Sequence, residues 1–201
     1  MATITYYKAV DSGSDGSKGS QITSGQVDAL LPYLSSQDRI NGVTQLEKLY
    51  VQSDVDLSIF IGITSRGLFR GSILDSTGSD EVRSDVPSDR PRYGAAEITA
   101  NSASNVTVKT PPDTIFRAND YVLVGDIVVQ ADSVTDNGDG TTTIAYKYDI
   151  PYSDQVGTNC ASMLKTDLTG GNAKPYWIEN VVPAGAPATS TSNTIPLIVV
   201  S

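Results

Sequence analysis

At 201 residues, with a formal charge of −9 and 39% hydrophobic residues, the chain is long enough for one large or two small domains with real cores, and its acidity argues against gripping nucleic-acid phosphates or an anionic membrane. It has no histidine and one cysteine, Cys160, which excludes Ser-His-Asp and Cys-His catalysis, the common zinc sites, an intrachain disulfide and a CxxC motif. No apolar run approaches the roughly 18 residues that span a bilayer, and Met1 to Val10 lacks the basic region, apolar core and cleavage site of a signal peptide.

Thr3 to Val10 (TITYYKAV) is dense in β-branched and aromatic residues and predicts a strand. Asp11 to Ser20 (DSGSDGSKGS) predicts a polar loop. Its aspartates invite calcium, but Gly13 and Ile22 stand where an EF-hand needs ligands. Val27, Leu30, Leu31 and Leu34 then share one stripe, which predicts a helix of two or three turns. Thr23 and Gln26 would form its capping box, and Pro32 would cut it short. Ile40 to Gly42 predicts a turn. Gln45 to Gln52 alternates loosely, with Leu46, Lys48 and Tyr50 facing one way and Leu49 and Val51 the other. Leu57 to Thr64 (LSIFIGIT) places Leu57, Ile59, Ile61 and Ile63 on one face. Asp54 to Asp56 is expected to join these two strands as a hairpin.

Arg66 to Tyr93 changes character. It holds Arg66, Arg70, Arg83, Arg90 and Arg92, five of the chain's seven arginines, against Asp75, Asp80, Glu81, Asp85 and Asp89. A stretch this polar is either a solvated loop or an extended arm that orders against a neighbouring subunit, since arginine is favoured at interfaces and pairs well with carboxylates.

From Ala95 the β pattern returns. Ile98, Val106 and Val108 mark one or two short strands, and Asp120 to Ala131 (DYVLVGDIVVQA) carries two valine-rich runs around Gly125-Asp126, a hairpin signal. Val134 to Tyr148 sets Asn-Gly and Asp-Gly between strands. Glycines at positions 138 and 140 stand in the ligand register begun by Asp136, so a turn is favoured over calcium. Without a histidine to activate it, Cys160 reads as a bystander thiol. Gly170-Gly171 closes this unit. Tyr176 to Val182 (YWIENVV) predicts a strand with Trp177 as a core anchor. Thr194 to Val200 (TIPLIVV) predicts a last strand that Pro196 places at an edge or bulge.

These elements predict a mainly β protein: an immunoglobulin-like β-sandwich with an inserted small β module and one short helix. Residues 1–65 plus 172–201 would build a discontinuous sandwich, 66–94 an Arg-rich extended arm, and 95–171 the inserted module, a small barrel or sheet of its own.

The segments ITSGQVDALLPYLSSQDRINGVTQLEKLYVQSD (22–54), FRANDYVLVGDIVVQADSV (116–134) and WIENVVPAGAPATSTSNTIPLIV (177–199) carry a resemblance. They resemble virion structural proteins of tailed bacteriophages, of Mu-like and siphophage type. Those open on a short capped helix and paired strands, some carry a β insert, and they close on a Trp-led stretch running into Val-Pro-Ala-Gly. The resemblance implies a head, neck, tail or baseplate component, and supplies no catalytic residue.

The function expected is therefore a non-enzymatic structural subunit in the virion, made in the host cytoplasm. Its partners would be other copies of itself and other virion proteins, with no nucleic acid, membrane, metal or cofactor. The alternatives are a carbohydrate- or receptor-binding β module and, more remotely, a glycosidase using paired carboxylates. Candidate subunit contacts are Tyr6 and Tyr7 on the first strand, and Arg66, Phe69, Arg70, Arg90, Arg92 and Tyr93 on the arm. If the arm reaches a neighbour, removing Arg90 and Arg92 should weaken assembly and spare the monomer's melting temperature.

Overall fold

Strand signals dominate the sequence, and strands dominate the computed structural model, which describes residues 2–10, 16–22, 31, 34–64, 70–187 and 197–200. In chain order the described residues form β1 (Ile4–Ala9), β2 (Lys18–Gln21), a helix α1 (Ser36–Asn41), β3 (Val43–Ser53), β4 (Leu57–Ile61), β5 (Arg70–Asp75) and a 3-10 turn (Arg83–Asp85). There follow β6 (Ala95–Asn101), β7 (Asn105–Lys109), β8 (Tyr121–Val124), β9 (Ile127–Asp136), β10 (Thr141–Tyr146), β11 (Asn159–Leu168), β12 (Ala173–Val182) and β13 (Leu197–Val200).

The strands make two antiparallel sheets. One has five strands in the order β2-β1-β3-β12-β5, and the other eight in the order β13-β4-β11-β6-β7-β10-β9-β8. In the larger sheet β8 returns to pair with the first half of β11, Cys160 opposite Val124 and Met163 opposite Tyr121. That closes β6, β7, β10, β9, β8 and the start of β11 into a barrel, leaving no free edge there. Its interior is filled by inward-facing residues such as Ile98, Val106, Val124, Ile144 and Cys160, and the loop residues Ile115 and Phe116 join the same core.

The second half of β11 leaves the barrel and pairs with β4. There Leu168, Ile59 and Ile61 face Leu49, Val51, Ile73, Tyr176 and Ile178 of the five-stranded sheet, forming the core of a two-layered sandwich. The β11 strand thus belongs to both cores. Phe60, on the outward face of β4, packs with Leu123 and Met163 of the barrel wall, its ring 4.7 Å from that of Tyr121. Gly62 permits this closeness, because a Cβ there would lie 2.8 Å from the Ser162 carbonyl oxygen.

The alternations read from the sequence place the faces correctly. Leu49 and Val51 enter the sandwich core, while Lys48 and Tyr50 point to the opposite side of the sheet and are also buried. Leu57, Ile59, Ile61 and Ile63 share the core face. Both hairpins form: Val124 pairs with Ile127 around Gly125-Asp126, and Asp136 with Thr142 around the Asn-Gly/Asp-Gly turn.

Four expectations need correction. Asp54 to Asp56 is no hairpin, because β3 already has β1 and β12 on its two edges. The chain instead turns a corner into the other layer, held where Thr3 N donates to Asp54 Oδ1 (2.8 Å) and Gly170 N to Asp56 Oδ1 (2.7 Å). Ile40 and Asn41 close a helix, not a free turn: Ser35 and Asp38 form a capping box, and Gly42 ends the helix at φ 76°. Lys18 to Ser20, the end of the stretch read as loop, belong to β2, which pairs with β1. Finally, the described part of the segment 66–94 is not a free arm: residues 70–75 form β5 on the edge of β12, and Glu81, Arg92 and Tyr93 bond to Trp177, Glu179 and Ile73 of the same sheet. The helix expected around residues 23–34 falls almost wholly outside the described residues.

Candidate functional site

The most elaborate polar constellation lies where Ser76 to Gly94 straps across the outer face of the five-stranded sheet. Because Tyr176 and Ile178 take the inner face of β12, Trp177 and Glu179 must point outward. Trp177 is fully buried, opposite Lys48 on β3 and Leu74 on β5. Its anchoring role is as expected, but what it anchors is the strap. Trp177 Nε1 donates to Glu81 Oε2 at 2.7 Å. The same oxygen accepts from Ser76 Oγ (2.8 Å) and Thr77 N (3.1 Å), and Glu81 Oε1 is 2.6 Å from Arg90. Lys48 Nζ lies 4.9 Å from the indole centroid and donates to the backbone carbonyls of Ser79 (2.9 Å) and Glu81.

Burial would raise the Glu81 carboxyl, but hydrogen bonds from Trp177, Ser76, Arg90 and Thr77 outweigh it and bring its pKa down to about 2. Further along the strap, Arg92 grips Glu179 through two bonds, Nε to Oε1 at 2.7 Å and Nη2 to Oε2 at 2.9 Å. Arg83 reaches Glu47 at 3.3 Å. Tyr93 then exchanges two backbone bonds with Ile73 on the outer edge of β5. Arg117, from the barrel, lies over the Tyr93 ring and donates to the Arg92 carbonyl at 2.9 Å, so the strap also ties barrel to sandwich.

The candidate contact residues are dispersed by this arrangement. Tyr6 packs against the sandwich core, while Tyr7 lies on the opposite face of β1 under Lys18, whose Nζ is 4.3 Å from the ring centroid. Arg70 begins β5, and Arg90, Arg92 and Tyr93 are engaged within the chain as described. Arg66 and Phe69 lie outside the described residues. The acids of the 136–140 turn close the turn itself: Asp136 accepts from Gly138 N and Asp139 from Thr141 N and Oγ1.

Cys160 sits inside the barrel, where burial pushes its thiol up from the ordinary value. An aromatic disulfide reagent should therefore leave it untouched in the native protein and label one thiol per chain after unfolding, read by absorbance.

A second feature lies at the surface and was not read from the sequence. Six large apolar side chains are exposed among the described residues, and three of them, Tyr148 (70%), Tyr152 (62%) and Val156 (56%), share the loop between β10 and β11. A tyrosine on each side of Pro151, in a stretch without alternation, was the available signal. Open clefts also mark the described surface. One of about 530 Å³ runs beside Thr110 to Ala118. Another, of about 300 Å³, lies between Thr77, Arg90, Tyr93 and Leu164. Among the described residues no group of three or more acidic or thiol side chains is placed to hold a metal ion, and no helix is long and apolar enough to cross a membrane. Comparison with known protein families, curated proteins and solved structures finds no match for this chain.

Proposed function

We propose that the chain is a non-enzymatic structural subunit of a tailed-phage particle, a capsid-decoration, neck, tail or baseplate component that assembles with copies of itself and with other virion proteins. The observation that carries this reading is a pair of sheet edges. Among the described strands β2 pairs only with β1, and β13 only with β4. Such edges offer backbone donors and acceptors to a neighbouring chain, so a subunit can gain partners without a new fold. The strap adds a consideration: with β5's outer edge covered by Tyr93, association is directed to the other two edges. This moves the contact surface away from the strap arginines.

The two-layered part is read as immunoglobulin-like. In support, β1-β3-β12-β5 follows the A-B-E-D order of such a sandwich, and β4 paired with β13 follows C with F. The β11 strand, on the other side of β4, has no counterpart in that scheme and serves to join the barrel.

Light scattering across a concentration series should give a discrete ring-sized oligomer, or a mass that rises with concentration. One monomer mass throughout would remove the self-assembling subunit and leave the second reading, a carbohydrate- or receptor-binding module. That second reading is favoured by the exposed Tyr148 and Tyr152.

A further inference from the structure

We infer that the far end of the barrel is a binding surface for neutral saccharide chains, built on the loop that carries Tyr148 and Tyr152. This rests on the second reading above and assigns it a site and a ligand class.

The location follows from β11. Its C-terminal half enters the sandwich against β4, so its first residue, Asn159, marks the barrel end away from the sandwich. β6, which leaves the strap at Gly94, runs antiparallel to β11 and ends at that same far end. The loop from Lys147 to Thr158 therefore crowns the barrel at its outermost point, beside the β6–β7 turn.

That loop is held in shape from below. Ile150 N donates to Ala103 O (2.8 Å), Gly157 N to Ile98 O (2.9 Å), and Lys147 N to Gln130 O (2.9 Å). Asn101 acts as a clamp: its Nδ2 donates to Ser153 O at 2.7 Å and its Oδ1 accepts from Gln155 N at 3.1 Å. Ile150 packs on the barrel core beneath. The loop is thus preorganised, and the large rings it exposes are not the by-product of a loose segment. Rigid exposed tyrosines offer broad contact area at low entropic cost.

The chemistry of the surface selects the occupant. Asp149 and Asp154 lie in this loop, and Asp126 stands at the same end because it follows Val124, which pairs with Cys160; the one lysine of the loop, Lys147, has its Nζ on Gln130 Oε1 at 3.1 Å. Within a chain of net charge −9, such a surface repels sialylated, uronate or phosphorylated ligands. Tyrosine rings offer flat apolar faces for the C–H faces of pyranose rings. Their hydroxyls and the Asp149 carboxylate can meet sugar hydroxyls. A neutral saccharide fits both properties.

The test is an immobilised panel of neutral, sialylated and uronate-containing oligosaccharides, probed with the intact chain and with Tyr148→Ala/Tyr152→Ala. The expected result is binding to neutral members only, weakened at least tenfold in the double variant, with an unchanged melting temperature because both side chains are exposed. Neutral-saccharide binding that survives the substitution overturns the assignment to this loop and keeps the binding-module reading. Binding confined to acidic members overturns the ligand class. Binding to no member overturns the carbohydrate reading itself, whatever the light scattering shows about assembly.

Discussion

Replacing Arg90 and Arg92 together with alanine should lower the melting temperature by more than about 10 °C, the opposite of what an arm reaching a neighbouring subunit would show. Each arginine is the counter-charge of a buried carboxylate: the side chains of Glu81 and Glu179 are 3% and 8% exposed, against 12% for Arg90 and 23% for Arg92. Removing one partner of a buried pair typically costs about 3–5 kcal/mol, because the stranded charge keeps its desolvation penalty. The partial exposure of Arg92 puts its pair at the low end. The companion variant Arg92→Met/Glu179→Leu removes both charges together and should recover most of the loss from that pair. Thermal melts of the three proteins decide the matter. An unchanged midpoint in the double-alanine variant would mean that the strap adds no stability and would reopen its role as an intersubunit arm.

The strap shows why composition misled here. Five arginines and five acids in one stretch carry the same compositional signature whether they are solvated, reach a neighbour or close on their own sheet. What separates these cases is the partner, and Glu179 is 87 residues from Arg92, while Trp177 is 96 from Glu81. No local pattern encodes such a pairing. The clue was indirect. An alternating strand that points Lys48 to the same side as Tyr50, and Trp177 with Glu179 to the outer face, needs a cover on that face. The corner at Asp54–Asp56 misled for a related reason, since two adjacent strands with a short link look alike whether they pair or switch layers.

Where the determinants are local, the sequence was enough. The Gly125-Asp126 and Asn-Gly/Asp-Gly turns require φ > 0 at glycine, and Gly125, Gly138 and Gly140 have φ of 59°, 75° and 84°. They fix the register of β8, β9 and β10, and so most of the barrel wall. Its closure through β8 and β11 depends on Cys160 meeting Val124, a pairing of distant residues that only the fold supplies. The capping box of α1 was legible as Ser35 and Asp38, but the stronger apolar stripe upstream drew the helix there instead. The exposed tyrosines were legible as residues and not as a surface, because the bonds that hold their loop, from Asn101, Ala103, Ile98 and Gln130, come from distant parts of the chain.

Glu81→Gln should destabilise the protein by roughly 3 kcal/mol near neutral pH, and that deficit should shrink as the solution is acidified. Glutamine can still accept from Trp177, but it carries no charge to answer Arg90, whose guanidinium is 2.6 Å from the native carboxylate. The pH dependence follows from linkage. An unfolded glutamate titrates near about 4.3, whereas Glu81 in the folded chain is held down to about 2 by Trp177, Ser76, Arg90 and Thr77. With the folded pKa below the unfolded one, its contribution is complete above about 4.5 and is lost as pH falls through about 2. Denaturant midpoints for both proteins between pH 7 and pH 2 measure this directly. The wild-type advantage should hold constant down to about pH 4.5 and then close toward pH 2. A gap that persists unchanged to the acid end would show that Glu81 contributes by shape and hydrogen bonding rather than by charge, and that the strap is fastened by Arg92 and Glu179 instead.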